Sequence, residues 1–142
     1  MRLVWGLLFS LFFLSACSYS TKSVVTVSSG FSSENAVQLK RTVAALRRHR
    51  DGCFSKRSAT LLVVGTGQQR EYLISNNLKA MDLRLSLEGS GQLRVELNEW
   101  SEPNFSAYAS RCYQQLLTRL GQDFGAEKLS IVESCKTPPC RK

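Results

Sequence analysis

Met81, Leu83, Leu85 and Leu87 alternate with Asp82, Arg84, Ser86 and Glu88. After Gly89-Ser90-Gly91 the alternation resumes, with Leu93, Val95 and Leu97 set against Arg94, Glu96 and Asn98. Period two sends every apolar side chain to one side, so these stretches form an antiparallel hairpin with one dry and one wet face. A three-residue loop at 89–91 places Arg84 opposite Glu96 and Leu85 opposite Val95, joining unlike charges outside and apolar pairs inside. A sheet with one dry face needs a second layer to cover it. Two stretches supply that layer. Ala36, Leu39, Val43 and Leu46 recur at three- and four-residue steps and predict a helix over 34–50, capped by Ser32 or Ser33 with Glu34 in its first turn. Asp51-Gly52 ends it, with Gly52 as a left-handed cap. Ser101-Glu102-Pro103-Asn104 starts a second helix whose apolar face is Phe105, Tyr108, Ala109, Cys112, Leu116 and Leu120, ending near Gly121.

The remaining strands are shorter. Val24-Val25-Thr26-Val27 is β-branched throughout and reads as a first strand. Thr60-Leu61-Leu62-Val63-Val64 is continuously apolar, the pattern of a central strand covered on both faces. Its second face needs a cover from Leu73, Ile74 or a partner. Gly65-Thr66-Gly67 breaks or bulges that strand, Glu71-Tyr72-Leu73-Ile74 extends it or forms another, and Ser75-Asn76-Asn77 turns. Leu129-Ser130-Ile131-Val132 is a last strand. Strand, helix, two or three strands, helix, strand is the order of an α+β two-layer sandwich, a mostly antiparallel sheet under two amphipathic helices. It is compatible with a ferredoxin-like arrangement.

Ahead of this domain lies a greasy run with one early positive charge, Arg2, ending in Leu14-Ser15-Ala16-Cys17. A basic start, a short apolar middle and small residues before a cleavage point describe a secretory signal. The run is shorter than the ~20 residues a membrane span needs. Leu-Ser-Ala-Cys resembles the lipobox of bacterial lipoproteins. That resemblance implies that residues 1–16 are removed, that the Cys17 sulfur carries diacylglycerol, and that its new amino group takes a third acyl chain such as palmitate. Ser18, where aspartate would favour inner-membrane retention, implies an outer-membrane lipoprotein facing the periplasm. Residues 17–23 then form the lipidated cysteine and a short polar tether, and residues 24–142 a single domain. The five residues Ser18-Tyr19-Ser20-Thr21-Lys22 reach only about 17 Å when extended. The element order is also similar to that of the small sheet-plus-two-helices lipoproteins of the Gram-negative outer membrane; this likeness covers topology alone and carries no residue across.

Of five cysteines, Cys53, Cys112, Cys135 and Cys140 remain after Cys17. An even set in an exported chain favours disulfides, with three pairings open. A zinc site is the rival, but only Cys135 and Cys140 are close in sequence and the chain has one histidine. If the helices run antiparallel on one sheet face, Cys53 after the first helix and Cys112 early in the second come within the ~4.4–6.8 Å Cα separation of a bridge. Cys135 and Cys140 would then close the tail around Pro138-Pro139.

Catalytic machinery is not evident. His49 sits among Arg47, Arg48 and Arg50 with no paired nucleophile. Gly65-Thr66-Gly67 lacks the third glycine of a phosphate loop, since Arg70 stands there. The carboxylates that could lie together, Asp82 with Glu88 or Glu96 with Glu99, show no cleft or defined separation. Cys135-x4-Cys140 is not the spacing of a thiol oxidoreductase. The expectation is therefore no enzyme, no cofactor and no metal.

Without residues 1–16 the chain keeps 18 Lys and Arg against 11 Asp and Glu. Lys40, Arg41, Arg47, Arg48, Arg50, Lys56 and Arg57 form a basic set, read either as a solvated helix flank or as a contact for anionic lipid or glycan. Nucleic acid is a poor partner for an exported, anchored chain. The function expected is a lipid-anchored accessory or docking subunit of a Gram-negative envelope assembly, with an envelope protein as partner. The alternative is a binding module for an anionic envelope ligand such as lipopolysaccharide or peptidoglycan.

Overall fold

The computed structural model describes residues 20–27, 33–67, 69–88, 92–100 and 105–135. The elements in chain order are β1 (Ser20–Val27), α1 (Ser33–Arg48), β2 (Thr60–Val64), β3 (Glu71–Asn76), β4 (Met81–Leu87), β5 (Leu93–Trp100), α2 (Ala107–Phe124) and β6 (Leu129–Cys135), with short 3-10 turns at Asn77–Lys79 and Ala126–Lys128. The strands form one six-stranded sheet in the order β2-β3-β4-β5-β1-β6. Every neighbouring pair is antiparallel. Both helices supply buried apolar faces, so the fold is an α+β two-layer sandwich. Each helix joins two strands that run the same way but are not neighbours, α1 from β1 to β2 and α2 from β5 to β6 across β1. The order stays compatible with the split βαβ units of a ferredoxin-like arrangement, here with a longer meander between them.

The β4–β5 hairpin holds the register expected from its alternation: Arg84 faces Glu96 and Leu85 faces Val95. Its six central apolar residues, Met81, Leu83, Leu85, Leu93, Val95 and Leu97, are all buried. Glu88 N–H bonds the Gln92 carbonyl at 2.8 Å and leads into the loop at 89–91, which lies outside the described residues. Against this surface α1 sets Leu39, Val43 and Leu46, and α2 sets Ala109, Cys112, Tyr113, Leu116, Leu120 and Phe124. Removing some twenty such side chains from water, at roughly 25 cal/mol per Å², is the main force holding the two layers together.

Several boundaries differ from the sequence expectation. β1 starts at Ser20, so Ser20–Ser23, read as tether, pair instead with Trp100 through Leu97. Ser23 is fully buried and its hydroxyl donates to the Tyr113 hydroxyl at 2.9 Å, which explains how a polar residue occupies the dry face. α1 ends at Arg48 rather than Arg50. Gly52 is not in the left-handed region; a side chain there would crowd His49, so its role is space rather than handedness. Ser75 and Asn76 belong to β3, and the turn follows them, with Ala80 at φ 47° closing it. α2 runs past Gly121 to Phe124. Its N-cap is Ser106, whose Oγ accepts the Ala109 N–H at 3.1 Å. Residues 101–104, expected to start it, lie outside the described residues.

The largest correction concerns β2. It is an edge strand, not a central one, and all five of its residues are exposed.

Candidate functional site

Cys53 and Cys112 are joined by a disulfide with Cα atoms 5.7 Å apart. The bridge ties the loop after α1 to the second turn of α2, the antiparallel-helix geometry expected. Cys135 ends β6; Cys140, with the rest of the tail, and Cys17 lie outside the described residues.

The loop at 51–59 is firmly held. Arg47, half-buried, turns its guanidinium away from the other arginines and donates to the carbonyls of Phe54, Ser55 and Ala59. Burial pushes this guanidinium below its ordinary pKa. Asn76 Nδ2 donates to the Cys53 carbonyl at 3.1 Å. Ser55 and Ser58 hydroxyls bond each other at 2.8 Å, and Phe54 plugs the core at 2% exposure. Arg47 is thus a loop brace. Arg47→Met should lower stability by about 2 kcal/mol, because three buried carbonyls lose a charged donor. Arg48→Met, at an exposed site, should stay within about 0.5 kcal/mol. Urea unfolding midpoints check both.

Every carboxylate pair considered from the sequence is separated by the fold. Glu96 and Glu99 differ by an odd number along β5 and face opposite sides. Glu99 is buried on the helix side and accepts from the backbone N–H and hydroxyl of Ser106, fixing the start of α2. Arg94 Nε lies 2.6 Å from Glu96 and its other arm 3.6 Å from Glu88. Its hydrogen bond to Glu96 raises its pKa. Asp82 accepts from the Trp100 indole at 3.0 Å. Arg84 lies 2.7 Å from Glu71. Among the described residues no three His, Cys, Asp or Glu converge as a metal site would require. Gly65-Thr66-Gly67 forms the turn into strand β3, not into a helix. Gly65 sits at φ +82°, where an added Cβ would run into the Gln69 carbonyl.

His49 is exposed beside a groove of about 430 Å³ between the helices. Gln114, Gln115, Thr118 and Gln122 line its α2 side. Arg119, also on its wall, is held at 2.8 Å by Asp123, which takes the Thr42 hydroxyl as well. Ala45, Leu46, Cys53 and Phe54 make the rest of the wall largely apolar, and the one cysteine in it is tied up in the disulfide.

Among the described residues β2 and β6 are the two edge strands, and β2 is the one whose side chains are all exposed and mostly apolar. Leu61 is 39% exposed, Leu62 56%, Val63 44% and Val64 52%. Leu61 and Val63 lie opposite buried Ile74 and Tyr72, so they point to the helix side, beyond the reach of either helix. Leu62 and Val64 point to the open face. The backbone parity follows from the ladder. Glu88–Gln92 and Ala80–Trp100 are hydrogen-bonded pairs, so β4 gives its even residues to β5 and its odd ones to β3. β3 in turn gives Glu71, Leu73 and Ser75 to β2, and these bond Val64, Leu62 and Thr60. The N–H and C=O groups of Leu61 and Val63 therefore face outward along the free edge.

Lys56 and Arg57, from the basic set, stand beside the start of β2 and line a recess of about 230 Å³ with Leu78. Arg48 and Arg50 are exposed at the same end of α1, while Lys40 and Arg41 lie midway along the helix. The basic set is thus divided. None of the described helices is long and apolar enough to cross a membrane. Comparison with protein-family models and with curated proteins finds no match to this chain.

Proposed function

We propose that this chain is a lipid-anchored accessory subunit of a Gram-negative envelope assembly, non-enzymatic and facing the periplasm from the outer membrane, and that it docks another protein through β2. The anchor rests on Leu14-Ser15-Ala16-Cys17 and its resemblance to a lipobox. The docking role rests on one observation: an apolar edge strand, open on both faces, with two outward N–H and two outward C=O groups. Natural edge strands are usually blunted by charge, proline or a cover. β2 has none of these within its five residues, and such an edge suits strand addition by an extended peptide.

The occupant is a strand of a different polypeptide. Self-pairing about Leu62 would bring Lys56 and Arg57 of one copy toward exposed Arg70 of the other, like against like. A partner strand with apolar residues at its centre and carboxylates at its ends fits both the apolar run and its basic flanks.

Val63→Pro tests this. Proline removes an N–H that points outward and leaves the β3 ladder intact, which edge strands tolerate. The variant should fold normally. Affinity capture from detergent-solubilised membranes should recover a stoichiometric protein with the wild type and lose it with Val63→Pro. Recovery of glycan or lipid alone, equal for both, would sink the docking reading and favour the ligand-binding alternative.

A further inference from the structure

The ladder registers place several separate segments at one end of the sheet. Ser20, the first residue of β1, pairs with Trp100, the last of β5. Trp100 N–H bonds the Ala80 carbonyl at 2.8 Å, so the 77–80 turn lies there too. Asn76 bonds both the Cys53 carbonyl and the Tyr108 hydroxyl, bringing the 51–59 loop and the start of α2 to the same end. Lys79 and Arg111 flank the Tyr108 ring, at 5.0 and 5.9 Å from its centre.

This end therefore carries six exposed cations: Arg48, Arg50, Lys56, Arg57, Lys79 and Arg111. Among the described residues none of them makes an ion pair. Its described carboxylates are exposed Asp51, Asp82 bonded to Trp100, and Glu99 buried under Ser106. Elsewhere some cations are matched, Arg84 with Glu71, Arg94 with Glu88 and Glu96, and Arg119 with Asp123, while exposed Lys40, Arg41, Arg70 and Lys128 are scattered rather than gathered at one end. Two large apolar side chains also stand out at the cationic end. Leu78 is 89% exposed and Trp100 43%. Cations ringed around an exposed leucine and an indole are the chemistry of a headgroup-facing surface.

We propose that this end of the fold seats on the anionic headgroups of the bilayer to which Cys17 is tied. The inference rests on the anchor proposed above, and Ser20, three residues from Cys17, brings this same end to the membrane. Leu78 and Trp100 dip into the interface while the six cations meet lipid phosphates. β2 then stands upright on the membrane, its first residue lowest, with its free edge open sideways to a neighbour in the same membrane.

The test uses full-length protein extracted from membranes and reconstituted into vesicles. Trp5 and Trp100 are the only tryptophans; processing before Cys17 removes Trp5, and a Trp5→Phe background keeps Trp100 the sole reporter in any unprocessed chain as well. On phosphatidylcholine–phosphatidylglycerol vesicles, Trp100 emission should shift to the blue and be quenched by lipids brominated high on the acyl chain. Phosphatidylcholine alone, or high salt, should return it to aqueous iodide. Each cation near an anionic surface contributes about fivefold, so Lys56→Gln with Arg57→Gln should cut the docked-to-undocked ratio roughly 25-fold. Lys40→Gln with Arg41→Gln removes the same charge mid-helix and should leave Trp100 quenched. Protein that fails to enter vesicles at all overturns both the anchor and this seating. Protein that enters, with Trp100 equally open to iodide on both lipids or with the two double variants equal, overturns the seating alone.

Discussion

Cys53→Ala with Cys112→Ala should lower the melting temperature by on the order of 15 °C, the largest change expected from any single cross-link or contact in the domain. The bridge spans 59 residues of sequence. Loop-closure entropy for a ring of that size corresponds to about 4 kcal/mol of restraint on the unfolded chain. A domain of this length loses a few degrees per kcal/mol. Both sulfurs are buried in the core, Cys112 completely, so alanine leaves a small void that adds to the loss. Replacing Cys53 alone should be no milder, because it strands a buried thiol opposite a new group. Cys140→Ser should change the melting temperature far less, because Cys140 would close only a short tail loop. Calorimetry of the oxidised protein and its variants measures this. A shift of only a degree or two would mean that the 51–59 loop and α2 hold together without the bridge.

Cys17→Ser should change the location of the protein entirely. With no sulfur to carry diacylglycerol, acyl-chain labelling should vanish and the chain should remain uncleaved or be recovered in the soluble fraction. A single acyl chain gives only marginal, reversible membrane binding, so stable anchoring needs several chains or a chain with a basic surface. The variant has at most the basic surface. Metabolic labelling with a clickable fatty acid, followed by fractionation, reads the outcome. A Cys17→Ser protein that still fractionates with membranes, processed as the wild type is, would overturn the lipoprotein reading.

The parts of the fold that were legible share one property: their pattern admits a single period. β4 and β5 alternate strictly, and their register followed. The two helices repeat at three and four, and placing them antiparallel was enough to bring Cys53 to Cys112. β2 was misread because a continuous apolar run is equally the mark of a strand covered on both sides and of a strand waiting to be covered. The start of β1 was missed because Ser20, Thr21, Lys22 and Ser23 show no apolar alternation. Only the fold reveals that Tyr113, ninety residues away, satisfies the Ser23 hydroxyl. Arg47 counted as one cation among several until its carbonyl partners were seen. Lys79 and Arg111 were passed over for the opposite reason: they are isolated in sequence, and only the meeting of the 77–80 turn with the start of α2 brings them together over Tyr108.

The position of β1 has a consequence for the order in which the chain can fold. β1 lies between β5 and β6, pairing Val25 with Val95 on one side and with Ile131 on the other. A chain emerging N-terminus first presents β1 before either neighbour exists. The β2-to-β5 meander can zip locally as it appears, since each strand pairs with the next. β1 must wait for β5 and then for β6, the last strand described. Contacts of such long sequence separation slow folding and prolong the exposure of unpaired edges. The Val24–Val27 stretch is therefore where a holdase chaperone would find its handle, and truncation within β6 should leave a meander that folds around an open seam.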